Sequence, residues 1–172
     1  MVRLGLLVNP DAGLGGRLGL KGSDGQANFA RSKGAEDRSG PRVKDMLEYF
    51  SHLYRGDSEI EWFISKGRMG TDWIPKEFDI GELITIHESS GGTSASDTSE
   101  LVISLINSNI DLLVYAGGDG TTRDIISALE SQGKGQVPVI GIPCGVKMHS
   151  GCFASSHASQ LAPVSAERWT CM

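Results

Sequence analysis

The amino-acid sequence predicts an open parallel α/β sheet with flanking helices. Three observations carry that expectation: strand and helix patterns alternate along the chain, the run Leu112-Leu113-Val114 is apolar at consecutive positions, and glycine-containing loops follow three of the predicted strands. Alternation of this kind builds parallel sheets with right-handed crossovers. Consecutive apolar residues mark a strand buried on both faces, as parallel sheets require.

The first strand is Arg3–Val8, halted by Asn9-Pro10, since proline cannot donate to a ladder and restricts the residue before it. From Pro10 to Gly25 six glycines at 13, 15, 16, 19, 22 and 25 rule out a stable helix or strand interior and predict a long loop. Ser39-Gly40-Pro41 reads as a helix start, and Val43, Met46, Leu47, Phe50 and Leu53 fall on one stripe, giving a helix over roughly 41–54. Ile60–Ile64 and Leu83–Ile86 are the second and third strands, separated by an irregular segment with Gly67, Gly70 and Pro75. Thr93-Ser94 caps a helix bearing Leu101, Val102, Leu105 and Ile106, with Asp97 and Glu100 early, where the helix dipole favours anions. Asp111–Ala116 is the fourth strand, Ile125, Ile126 and Leu129 mark the next helix, and Val137–Ile142, closed by Pro143, is the fifth strand. Pro138 places itself early in that strand or near a sheet edge.

The chain of 172 residues is long enough for one domain. Its 39% apolar and 22% charged residues are those of a soluble globular protein, and its 23 glycines are almost twice the usual share of about 7%. The balance of 16 Lys+Arg against 21 Asp+Glu, net −5 and without a basic run, argues against a nucleic-acid partner. Leu4–Val8 is too short for a signal core, and nothing approaches the ~18 apolar residues of a membrane span. Cys144, Cys152 and Cys171 are odd in number and lack Cys-x-x-Cys spacing, so no disulfide framework or zinc site is expected and a reducing cytoplasm is.

Loops that follow parallel strands gather on one edge of the sheet, so Asn9–Gly25, Gly117–Thr121 and Pro143–Gly151 should share one crevice. In Gly117-Gly118-Asp119-Gly120-Thr121 the glycines admit close backbone approach, and the N–H groups can face phosphate oxygens. Thr121 or Thr122 is expected to cap the next helix. Asp119 is then a carboxylate beside phosphate, suited to ligating a metal ion or to accepting a proton from an attacking hydroxyl. The competing reading is a plain Asp-Gly turn. The chain has no Gly-x-x-x-x-Gly-Lys-[Ser/Thr], and Gly13–Leu18 lacks the last glycine of the dinucleotide fingerprint.

Asn9-Pro10-Asp11-Ala12-Gly13, Thr93–Thr98 and Gly117–Thr121 together resemble the ATP-NAD kinase and acetoin-catabolism X-type group, as do the stretches Gly19–Gly25 and Gly145–Ser150. The resemblance runs from Val2 to about Ala154. It implies a Rossmann-like N-terminal domain, ATP as phosphoryl donor with Mg2+ or another divalent cation, and transfer to a hydroxyl, in NAD kinases the ribose 2′-hydroxyl of NAD. It also implies Asp119 as the catalytic residue, with Gly117, Gly118, Gly120 and Thr121 as one nucleotide-contacting loop and Asn9 and Gly13 as another. Asp97 and Thr98 are candidates for lining the crevice, with helix capping the stronger reading. Lys21, Lys147 and His149 are candidate substrate contacts, with solvated surface the alternative. His52 reads as helix surface, His87 as a strand end, and Cys144 and Cys152 as small core residues. No set of metal ligands is assigned.

Kinases of this group continue into an all-β domain, which is not expected within this chain. The domain is placed at 1–154, and 155–172 is read as an atypical tail marking a truncation or a frameshift. With one wall of the crevice lacking, turnover by this chain alone is in doubt. A lipid kinase of the diacylglycerol or sphingoid type and a non-catalytic nucleotide-binding module stay open as alternatives. The acceptor and the oligomeric state, including a homo-oligomer, are not fixed by the sequence.

Overall fold

The computed structural model describes residues 1–16, 26–88 and 93–145 and the backbone of 153–154. Its strands are β1 (Val2–Val8), β2 (Ile60–Lys66), β3 (Glu82–Glu88), β4 (Leu112–Gly117), β5 (Val139–Pro143) and β6 (Phe153–Ala154). They form one sheet in the order β3-β2-β1-β4-β5-β6, and every pairing is parallel. The helices are α1 (Ala27–Ser32), α2 (Ser39–Leu53), α3 (Ala95–Asn107) and α4 (Asp119–Ser131). The fold is the expected α/β sheet of Rossmann-like type, with each predicted strand present to within a few residues.

Alternation along β1 decides the layers. Leu4, Leu6 and Val8 join Val43, Met46, Leu47 and Phe50 of α2 in one core, together with Trp62, Ile64, Val114 and Ile142. Leu7 faces the other way, into a core with Leu101 and Leu105 of α3 and Ile125 and Leu129 of α4. β1 is thus buried on both faces, as parallel sheets covered by helices require, and lies between β2 and β4. At Gly5 an added Cβ would lie 2.8 Å from Ile110 Cδ1 and 3.2 Å from a Leu105 methyl. Glycine there lets the α3 side press onto the sheet.

The stripe on α2 is buried as expected, but the helix opens two residues earlier, at Ser39. An added Cβ on Gly40 would overlap the Trp73 ring, 2.0 Å from Cδ2, so this glycine makes room for an indole whose Nε1 donates to the Arg68 carbonyl at 2.6 Å. The segment between β2 and β3 contains two short 3-10 turns, Gly67–Met69 and Thr71–Trp73. Pro138 precedes β5, and its carbonyl accepts from the Leu113 N–H at 3.0 Å. α1 was not anticipated; its six residues carry one buried side chain, Ala30, and no periodic stripe. Among the described residues no helix is long and apolar enough to cross a membrane. The tail 155–172 lies outside the described residues.

α3 begins with a reciprocal cap. The Asp97 N–H donates to Ser94 Oγ at 3.3 Å while the Asp97 carboxylate accepts from the Ser94 N–H at 2.9 Å and from its hydroxyl at 2.6 Å. The bond from the Ser94 hydroxyl is the main reason the Asp97 carboxyl lies below its ordinary value of 3.8. A lowered folded pKa adds stability that is present above the ordinary value and is lost as pH falls through the folded one. Ser94→Ala is therefore expected to destabilise the protein by about 1 kcal/mol at pH 7, a fall of about 2–4 °C in Tm for a domain of this size. In thermal melts at pH 3 and below, the gap between Ser94→Ala and the parent should narrow.

Candidate functional site

The sheet order reverses direction between β1 and β4, so the chains leaving these neighbours diverge and open a crevice beyond their carboxyl ends. Asn9 follows β1 and bridges that point. Its N–H donates to the Ala116 carbonyl at 2.9 Å, and its Nδ2 donates to Thr121 Oγ1 at 2.9 Å. Its Oδ1 accepts from the Asp11 N–H at 3.0 Å, which turns the chain back over the strand end.

The Gly117–Thr121 run converts strand into helix without a connecting loop. Gly117 is the last residue of β4, Gly118 is the N-cap in extended conformation, and Asp119 is the first residue of α4. Neither Thr121 nor Thr122 caps the helix, contrary to expectation, because α4 starts before them and both lie in its first turn. Thr121 instead accepts from Asn9, while the Thr122 hydroxyl donates to the Gly118 carbonyl at 3.1 Å and also bonds the Tyr115 hydroxyl. The two threonines are 4% and 2% exposed, whereas Gly118, Asp119 and Gly120 are half-buried and reach the surface. A Cβ on Gly117 would come within 2.5 Å of Thr121 Cβ. The tight turn therefore needs glycine there.

The other two loops close on the same place. Gly13 has φ +83°, and an added Cβ would lie 1.9 Å from the Cys144 carbonyl oxygen. The Cys144 N–H donates to the Gly117 carbonyl at 2.9 Å, so Cys144 links the loop after β5 to both glycine loops. Its side chain is 2% exposed, and burial pushes its thiol pKa up, which fits a core residue. Arg42 of α2 donates to the Pro143 carbonyl from the opposite side. The described starts of the three loops thus meet at the carboxyl ends of β1, β4 and β5, where Asn9, Gly13, Gly117 and Thr121 are tied together directly or through Cys144, while Gly118, Asp119 and Gly120 lie alongside.

A charged cluster absent from the sequence expectations supports the β1 loop. Arg31 Nη2 lies 2.6 Å from Asp11 Oδ1 and 3.0 Å from Asp37 Oδ1, and Arg68 Nη2 lies 2.8 Å and 2.9 Å from the two Asp37 oxygens. The Thr93 hydroxyl donates to the second Asp11 oxygen. Four stretches of the chain, at 11, 31–37, 68 and 93, meet here. The arginines and aspartates are spaced too irregularly to be read as a set from the chain. Thr93 reaches the crevice loop, while Asp97 bonds Ser94 and Thr98 is 1% exposed, so capping and burial account for the latter two. His52 is exposed on α2, and His87 closes β3 with Nδ1 at 3.2 Å from Ser65 Oγ. Lys21, Lys147, His149 and Cys152 lie outside the described residues.

Chemically, the crevice suits phosphate. The first N–H groups of a helix lack intrahelical partners and carry partial positive charge, and the first turn of α4 presents them at the half-buried Gly118–Gly120 surface. A magnesium ion bound with phosphates uses only one or two protein carboxylates, and Asp119 stands on that surface. Among the described residues no cluster of three or more metal-ligating side chains forms a separate cage. The residues at this turn therefore suit a phosphate group.

Two glycines separate contact from strain. Gly13→Ala and Gly34→Ala both place alanine at φ +83°, but Gly34 has nothing within 4 Å of the new Cβ. Gly34→Ala should cost about 1–2 kcal/mol from backbone strain. Gly13→Ala must also displace the Cys144 carbonyl, so it should lower the denaturant midpoint clearly further.

No curated protein gives a significant match to the chain. The family model described as the ATP-NAD kinase N-terminal domain matches residues 5–167, nearly the whole chain. That extent agrees with the sheet order and the strand-end loops described above, and the chain belongs to the ATP-NAD kinase N-terminal domain family.

Proposed function

We propose that this protein transfers a phosphoryl group from ATP to a hydroxyl, with the ribose 2′-hydroxyl of NAD as acceptor. The family supports a kinase, the position of Asp119 at the reversal of strand order, between the Asn9–Thr121 and Cys144–Gly117 bonds, supports phosphoryl transfer at this turn, and the choice of NAD as acceptor follows the family's description. Bound ATP with its divalent cation supplies the phosphoryl group and neutralises part of its charge.

The chain's own residues then act by position. The backbone of Gly118–Thr121 and the α4 N-terminus hold phosphate oxygens, and Asn9 fixes the entry to that turn through Thr121. Asp119 accepts the proton of the attacking hydroxyl or holds the cation that the phosphates carry. Lys21, Lys147 and His149 are assigned to the acceptor side, while Asp97 and Thr98 serve the start of α3.

ATP-dependent formation of NADP from NAD tests the reading directly. Asp119→Asn keeps the shape of the side chain and removes its charge. Its turnover should fall by about 100-fold or more, with ATP binding retained in calorimetry. Undiminished turnover in the variant would remove Asp119 from the chemistry, and phosphorylation of diacylglycerol in place of NAD would move the acceptor to a lipid.

A further inference from the structure

Beside the crevice lies a groove of about 320 Å³ lined by Gly13, Leu14, Asp37, Arg38 and Arg42, with Glu36 at its side. We propose that Arg38 and Arg42 form a second phosphate subsite there, which takes the outer end of a nucleotide's phosphate chain while the inner part rests on Gly118–Thr121. The assignment of the anion to a nucleotide rests on the function proposed above.

Arg38 and Arg42 stand one helical turn apart and face the same groove. The Arg38 stem packs at the Gly13 turn, its Cδ 3.3 Å from the position a Cβ would take on Gly13. Among the described residues the Arg38 side chain has neither an ion-pair nor a hydrogen-bond partner. Arg42 spends one donor on the Pro143 carbonyl and keeps the rest of its guanidinium fork. Two guanidiniums converging on a concave surface suit a phosphate, which accepts their paired N–H groups.

The acids around the groove do not cancel this pair. Asp37 is bound by Arg31 and by both contacts from Arg68, and Asp11 by Arg31 and Thr93. Glu36 is exposed and is the remaining opposing charge. The groove also joins the main crevice: Gly13 packs on the Cys144 carbonyl, and the Cys144 N–H holds Gly117.

Calorimetry with inorganic tripolyphosphate, ATP and adenosine reads the subsite without requiring turnover. Arg38→Gln should weaken tripolyphosphate and ATP by about tenfold or more and leave adenosine unchanged, Arg38→Lys should recover part of the loss, and Glu36→Gln should tighten both phosphates. All variants are exposed-residue changes whose melts should match the parent. Unchanged tripolyphosphate affinity in both Arg38→Gln and Glu36→Gln would overturn the proposal, as would an equal loss for adenosine. If the parent binds tripolyphosphate through Arg38 yet forms no NADP, the kinase reading fails and the subsite stands.

Discussion

The side-chain amide of Asn9 is the joint on which the strand-end geometry depends. One residue closes the ladder to β4, fixes Thr121 in the first turn of α4 and turns its own chain through Asp11. Thr121 is 4% exposed, so without Asn9 its hydroxyl would lose this partner in a place that water scarcely reaches. Few side chains other than asparagine offer a donor and an acceptor on one short planar group. Aspartate would present an acceptor toward Thr121 in place of the amide donor, and Thr121 would have to turn its own hydroxyl proton to meet it.

That joint works only because the layers behind it are fixed. The two cores grip β1 from opposite sides, with Leu4, Leu6 and Val8 against α2 and Leu7 against α3 and α4. A one-residue slip of β1 would exchange those sets and drive Leu7 into α2. Register therefore places Val8 opposite Ala116 and brings Asn9 to the end of β4. Packing far from the crevice sets the position of its loops to within a residue.

Much of this was legible because it rests on local patterns. Apolar runs gave the five longer strands, Ser94 followed by Asp97 gave the α3 cap, and the glycines after β1, β4 and β5 gave the converging loops. The failures lie where the decisive partner is distant or the element too short. Thr121 and Thr122 look like caps until Asn9 and Tyr115 are seen to use their hydroxyls. α1 has a single buried residue and so no period to detect. The Asp11–Arg31–Asp37–Arg68 cluster joins charges from separate segments, none of which forms a recognisable run. The roles of the residues around the crevice came from resemblance, whereas their juxtaposition comes from the fold.

A net charge of −5 opposes a phosphate ligand at long range, but salt screens that effect within about 8–10 Å. What an anion meets in the crevice is local. Asp11 and Asp37, the acids nearest the β1 loop, are already bonded to Arg31 and Arg68. Arg38 and Arg42 line the adjoining groove, and α4 directs its N-terminal end toward the glycine turn. Pairing the acids to hold the loop in shape also withdraws their charge from the space the loop encloses. The same salt bridges thus serve architecture and electrostatics at once, and an acidic protein can keep a site that favours phosphate.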